Sequence, residues 1–315
     1  MLIDVPHSAQ RSALSIWLQA TRAKSLAISS ISVMAGGALA VYSGNFRWLP
    51  LLLAWIGAVA VQAGTNLTNV YYNYKGASAD HHPEPQASAA VLQLGLLTPA
   101  QIRRASLACF GASVAAGAAL TWMCGWTILL IGVPGACAGY FYAAPPLKLA
   151  YKAMGVITVF IFMGPVMVMG TFFAMTLTTS LAAFTISIPV GMLAAGIMHI
   201  NDLRDYEGDL QHRKRTLTTL LGRQGSRVLL ASMDAIAYSA VVGPVVAGVL
   251  PWPTLLVLGS LPHALSQLRL VFRETDPKLV HRAWGRSIQL HMEFGGLLIA
   301  GLLIARVPIA KLLGQ

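Results

Sequence analysis

Between residues 153 and 201 the chain carries no Asp, Glu, Lys or Arg. A helix needs about 20 apolar residues to cross the hydrocarbon layer, so this run holds two spans, broken around Thr178-Thr179-Ser180. Other stretches poor in charge read the same way. Residues 25–46 and 48–74 supply one span each, 105–147 supplies two broken near Cys124-Gly125, and 228–268 two more broken at Pro251-Trp252-Pro253. Residues 287–305 supply the last. The expectation is an all-α membrane protein with nine transmembrane helices. It is a single domain over residues 1–315, with residues 1–24 as a cytoplasmic N-terminal segment. Composition agrees, because a chain 56% hydrophobic and only 10% charged lacks the polar surface of a soluble domain.

Charge placement orients the spans. Of the 22 Lys and Arg, all but Arg47, Arg306 and Lys311 fall on one side of this arrangement. That asymmetry puts the N-terminus in the cytoplasm and makes the chain an integral protein of the cell (inner) membrane. The net charge of +11 is met by the lipid bilayer and an anionic substrate. No nucleic acid is implied, since the basic residues are divided among separate loops. The first residues read as no cleavable signal, because Asp4, His7, Arg11, Arg22 and Lys24 are spread through them and the first apolar run is long enough to span. Cys109, Cys124 and Cys137 lie within or beside spans and read as small apolar residues.

The longest uncharged run ends in Asn201-Asp202-Leu203-Arg204-Asp205-Tyr206-Glu207-Gly208-Asp209. Acids at the mouth of an apolar span are costly unless something cationic binds them. Asp205 and Asp209 are four apart and share one helical face, and Arg213, Lys214 and Arg215 follow at once. Mg²⁺ prefers one or two carboxylates plus phosphate oxygens, which suits Asp202, Asp205 and Asp209, with Lys214, Arg215 and Arg204 neutralising a diphosphate. The plain alternative is a solvated, salt-bridged loop. The second span ends in a similar polar run, with Asn66, Asn69 and Asn73. Their amide oxygens can ligate Mg²⁺ without a carboxylate's charge, or can serve as caps and interhelical bonds. Matching Asn66 to Asn201 sets Val70 against Asp205, and Tyr74 or Asn73 against Asp209. Polar helix ends in each half point to one central site.

Lesser candidates carry plainer readings. Adjacent His81 and His82 point in different directions, which argues against a shared metal. His199 reads as a packed, hydrogen-bonded histidine. Glu293, with His291, is the acid deepest in the last span, and its role is open. The run Met163 through Gly170 either lines an apolar tunnel or packs helices.

At these residues the chain resembles the UbiA superfamily of intramembrane aromatic prenyltransferases, above all its 1,4-dihydroxy-2-naphthoate branch. The resemblance runs through Trp17–Leu26, Gln93–Pro99, Tyr140–Tyr151, Val159–Phe173, Asn201–Leu217 and Gln289–His291. It implies a nine-helix bundle with two aspartate-rich motifs facing each other across a cavity open to the cytoplasm. It implies Mg²⁺-assisted loss of diphosphate from a polyprenyl diphosphate, and capture of the allylic cation by an aromatic acceptor that loses its carboxylate. Carried onto this sequence, Asp202, Asp205 and Asp209 hold Mg²⁺ with Asn66 and Asn73. Lys214, Arg215 and Lys148 meet diphosphate, and Tyr140 and Tyr142 steady the cation. Arg22, Asn69, Asn201 and Arg204 complete the substrate wall. The chain departs from the family at Val70 and Asn73, where aspartates are usual, and at Ala23, Ala90 and Val156. An alternative follows: a catalytically degenerate relative that binds isoprenoid diphosphate or quinone, or prenylates another acceptor.

Overall fold

The computed structural model describes residues 12–80 and 90–306. His81, His82, Glu84 and Lys311 lie outside the described residues, as does the start of the N-terminal segment. A short helix α1 (Ala13–Ala20) leads into α2 (Ala23–Tyr42) and the long α3 (Trp48–Asp80). After one turn of helix, α4 (Ala90–Gln93), come α5 (Pro99–Cys124) and α6 (Thr127–Phe141). The next span is composite: α7 (Gly155–Ile161), a π-helical turn Phe162–Val166 and α8 (Met167–Thr176). Then follow α9 (Leu181–Arg204), the short α10 (Tyr206–Gln211) and α11 (Leu217–Val246), the last kinked at Gly222. A 3-10 stretch Trp252–Ser260 runs into α12 (Leu261–Arg273), and α13 (Pro277–Arg306) closes the bundle.

Eight of these segments are long and apolar enough to cross a membrane. The ninth expected span corresponds to α6, which is apolar throughout but has 15 residues, too few to pass that length test. The breaks expected at Gly125, around Thr179 and at Pro251 all separate elements. Local chemistry explains them. Gly125 takes a positive φ of 89° as it ends α5, and Ser180 accepts the Ala183 amide at 3.0 Å to start α9. Thr98 and Gln101 form a capping box ahead of α5, with Pro99 in the first turn.

Among the described residues, two apolar groupings are the largest of those that hold the bundle. One joins α2, α8, α9, α11 and α13 through Leu39, Val168, Phe172, Ile186, Val241, Phe294 and Leu298. The other joins α1, α3, α4 and α5 through Ala20, Leu67, Val70, Leu92 and Ile102. Between the two groupings the helices do not close up. They leave a cavity of about 1720 Å³ bounded by α2, α3, α6, α8, α9 and α13.

Candidate active site

The cavity follows α3 from Ala54 to Asn73, about 28 Å at 1.5 Å per residue. Its wall is apolar at Ala54, Gly57, Ala58 and Val61 and turns polar at Gln62, Asn66, Asn69 and Asn73. The three asparagines therefore share one face. Val70 does not: it lies about 100° further round the helix from Asn69, 1% exposed, in the core shared with α4 and α5. The pairing of Val70 with Asp205 expected from the sequence is corrected on this point.

The amides of that wall have separate duties. Asn66 Nδ2 donates to the Thr21 carbonyl at 2.8 Å and to Ser25 Oγ at 2.7 Å, tying α3 to the end of α1 and the first turn of α2. Asn73 Oδ1 accepts from the Tyr151 hydroxyl at 2.6 Å. Tyr151 sits in the loop after α6 and has the ammonium groups of Lys148 and Lys214 at 6.0 and 5.6 Å from its ring centre. Nothing in the sequence beyond its place in the Tyr140–Tyr151 block distinguishes Tyr151, yet it joins one wall to the other.

Across the cavity, α9 stops at Arg204. Asp205 adopts φ −89°, ψ 8°, so the expected continuous helix is broken there, and α10 resumes at Tyr206. The Asp209 amide still donates to the Asp205 carbonyl at 2.9 Å, so both acids reach the cavity. Asp205 accepts from Arg204 Nε and Nη2, both at 2.7 Å, and Asp209 accepts from Lys214 Nζ at 3.0 and 3.1 Å. Asn201, Arg22 and Lys148 also line the wall.

Three expected site residues stand elsewhere. Asp202 is 3% exposed behind the lining, and its Oδ1 has no hydrogen-bond partner. Arg215 is exposed, and its carbonyl accepts the Ala153 amide at 2.7 Å. Tyr140 lies among Phe110, Phe141 and Tyr72, outside the lining. Tyr142 does line the cavity; burial pushes its phenol up and its hydroxyl has no partner. His199 is fully buried with Nε2 on the Ser226 carbonyl at 2.9 Å, the packed role expected of it. Glu293 pairs with His263 of α12, away from the cavity. Met163, Val166, Met167 and Gly170 line the apolar part.

Burial would lower the Lys214 ammonium, but Asp202 and Asp209 outweigh it and hold the group above its ordinary range. Burial pushes the Asp209 carboxyl up against the pull of Lys214. Among the described residues no three His, Cys, Asp or Glu side chains converge on a point. The donor set therefore fits a cation that takes one or two carboxylates and completes its shell from a phosphate ligand, and does not form an all-protein cage. Asp202 Oδ1, within the field of Lys214, is a buried acceptor left without a donor at the same end.

The profile of the UbiA prenyltransferase family matches residues 29–292. The chain belongs to that family. It is 32% identical over 291 residues to the 1,4-dihydroxy-2-naphthoate octaprenyltransferase of Bacillus subtilis (strain 168), with 92% of each chain covered. In fold it is similar to a UbiA homolog from Aeropyrum pernix K1 (TM-score 0.68, 16% identity, 89% of this chain and 98% of that one). It is likewise similar to a UbiA homolog from Archaeoglobus fulgidus bound to GPP and Mg²⁺ (TM-score 0.62, 17% identity, 91% and 100% covered). This UbiA family chain is thus a prenyltransferase and an integral membrane protein. Its cavity has a charged end formed by the breaks after α6 and α9, and an apolar length formed by α3, α6 and α8.

Proposed function

We propose that the chain transfers a polyprenyl group from a polyprenyl diphosphate to a 1,4-dihydroxy-2-naphthoate-like acceptor in quinone biosynthesis. One observation carries this reading: Asp205, Asp209, Lys148 and Lys214 line the same cavity as Asn66, Asn69 and Asn73, and that cavity runs on into an apolar channel. The family relative named for the naphthoate reaction, nearly as long as this chain, supports the acceptor class.

In this reading α6 is the ninth span, the N-terminus and the charged end face the cytoplasm, and the membrane is the cell membrane. Asp205 and Asp209 hold Mg²⁺, which supplies Lewis-acid neutralisation of the diphosphate. Asp202 acts on it from behind through Lys214. Lys214 and Lys148 donate to diphosphate oxygens, and their charge favours the leaving group over the intact ester. Asn73, fixed by Tyr151, presents an amide where the family usually has a carboxylate. The apolar channel holds the chain extended and keeps water from the allylic cation. Tyr142 offers a ring face near that cation.

The test is purified protein with Mg²⁺, a polyprenyl diphosphate and a panel of aromatic acceptors. Diphosphate release should depend on a naphthoate and fall at least about 100-fold in Asp205→Asn. A second reading rests on α3 facing the cavity with amides and no carboxylate: a relative that binds isoprenoid diphosphate without cleaving it. Tight binding with no turnover on any acceptor would establish that reading and overturn the first.

A further inference from the structure

Helices α12 and α13 form a hairpin whose outer seam is basic. Ser266 Oγ accepts from Arg286 Nη1 at 3.1 Å, which sets the register of the two antiparallel helices. Arg269 lies one turn from Ser266 toward the hairpin turn, and Arg282 one turn from Arg286 in the same direction. The two therefore stand at about the same level. Arg273 and Lys278 follow one turn further on. All five basic side chains are exposed, and none lines the cavity. On α12 the buried side is Ala264, Gln267 and Val271, while exposed Leu261, Leu265 and Phe272 flank the arginines.

These cations have little to do within the fold. Among the described residues none of the five forms an ion pair. Arg227 donates to the Val271 and Glu274 carbonyls at 2.8 and 3.1 Å, so the end of α12 does not need Arg273 as a cap. Residues 266–286 hold five basic residues and two acids, Glu274 and Asp276, both at the turn. Asp276 Oδ1 accepts the Lys278 amide at 2.8 Å and so starts α13. Ser266 lies about 10 Å along the axis from the end of α12. The basic ladder thus runs through the depth of a headgroup layer and ends where acyl chains begin.

We propose that this seam binds an anionic phospholipid of the surrounding leaflet. Its headgroup phosphates sit on Arg269, Arg282 and Arg286, and its acyl chains lie along Leu261 and Leu265. A guanidinium grips a phosphate through two parallel N–H donors, and successive levels of arginine suit a headgroup with two phosphates better than one with a single phosphate. Free phosphate would meet the same arginines without the apolar flank. The seam is on the outside of the bundle, so the proposal does not depend on which acceptor is prenylated.

The full chain, purified in a non-ionic detergent, is titrated with fluorescently labelled cardiolipin and with phosphatidylcholine of the same acyl chains. Cardiolipin should bind at least about tenfold more tightly. Arg269→Gln with Arg282→Gln should weaken it about thirtyfold, since each basic residue at a membrane surface contributes about fivefold. Arg103→Gln with Arg104→Gln removes the same charge from exposed positions on α5 and should leave the affinity unchanged. Melting temperature without lipid and geranyl diphosphate binding with Mg²⁺ should hold in both double variants. Millimolar inorganic phosphate should not displace the lipid. In the unaltered protein, adding cardiolipin to phosphatidylcholine nanodiscs should raise the melting temperature. Equal affinity for the two lipids, equal loss in the two double variants, displacement by phosphate, or no rise in melting temperature would each overturn the seam as a lipid site.

Discussion

The Asn66 amide nitrogen has two acceptors from another element, whereas the Asn73 amide oxygen has one donor, Tyr151. Substitution by aspartate should separate the two positions. Asn66→Asp removes both donors and sets a carboxylate against the Thr21 carbonyl, so a thermal melt should show a loss of about 1–3 kcal/mol. Asn73→Asp keeps an acceptor for the Tyr151 hydroxyl, so stability should change little. It adds a charge to the cavity, and the Mg²⁺ concentration for half-maximal diphosphate release should fall. An unchanged Mg²⁺ requirement would remove α3 from the metal's surroundings. Val70→Asp, by contrast, buries a charge in the α3–α5 core and should impair folding without touching metal dependence.

Backbone strain at single residues points to the same end. Arg22, Lys148 and Arg213 all line the cavity with positive φ, at 52°, 46° and 51°. A left-handed conformation costs an ordinary residue about 1–2 kcal/mol, and glycine adopts it freely. Arg213→Gly should hold or raise the melting temperature while weakening diphosphate binding. Ala153, at φ 58° and outside the cavity, is the control. Ala153→Gly should do the first without the second, and equal loss of binding in both would assign the strain to loop geometry alone.

At the scale of elements, one of the spans that line the cavity is irregular. Pro165 lacks the amide that a regular helix needs, and the backbone answers with the π-helical turn Phe162–Val166 between α7 and α8. That turn presses on α9 where both partners are glycine. A Cβ on Gly164 would meet the Ser187 carbonyl oxygen at 2.6 Å and Gly191 Cα at 2.8 Å. Close backbone approach of this kind is how membrane helices associate without a hydrophobic driving force. Gly164→Val should force α7 away from α9, lower thermal stability by about 1–3 kcal/mol and widen the channel. A melting curve in detergent checks the first effect. A weaker preference among prenyl diphosphates of different length checks the second.

For the whole molecule, charge is sorted to one end of the cavity, and ligand occupancy there should stabilise the bundle by mass action. Inorganic diphosphate with Mg²⁺ should raise the melting temperature, and a chelator should abolish the rise. Asp209→Asn should remove most of it, because it strips Lys214 of its direct partner as well as a carboxylate from the wall. A rise that survives chelation would show diphosphate held by the basic residues alone.

Much of the architecture was legible in the sequence because hydrocarbon permits few solutions: runs without charge must be helices, and polar, Gly or Pro residues must end them. Span order, breaks and the acidic mouth after Asn201 follow from that rule. Three matters were decided only by packing. The spacing of Asn66, Asn69 and Asn73 puts them on one face of α3 with Val70 off it, but only packing of α3 against α4 and α5 turns that face to the cavity. Asp202, Asp205 and Asp209 are alike in sequence, but the break at Asp205 leaves Asp202 behind the wall. His281 lies far along the chain from Arg204, and only closure of the bundle by α13 brings the two within 3.3 Å. Composition declares where a chain crosses a membrane; which side chains share a chamber depends on helix rotation and tertiary contact.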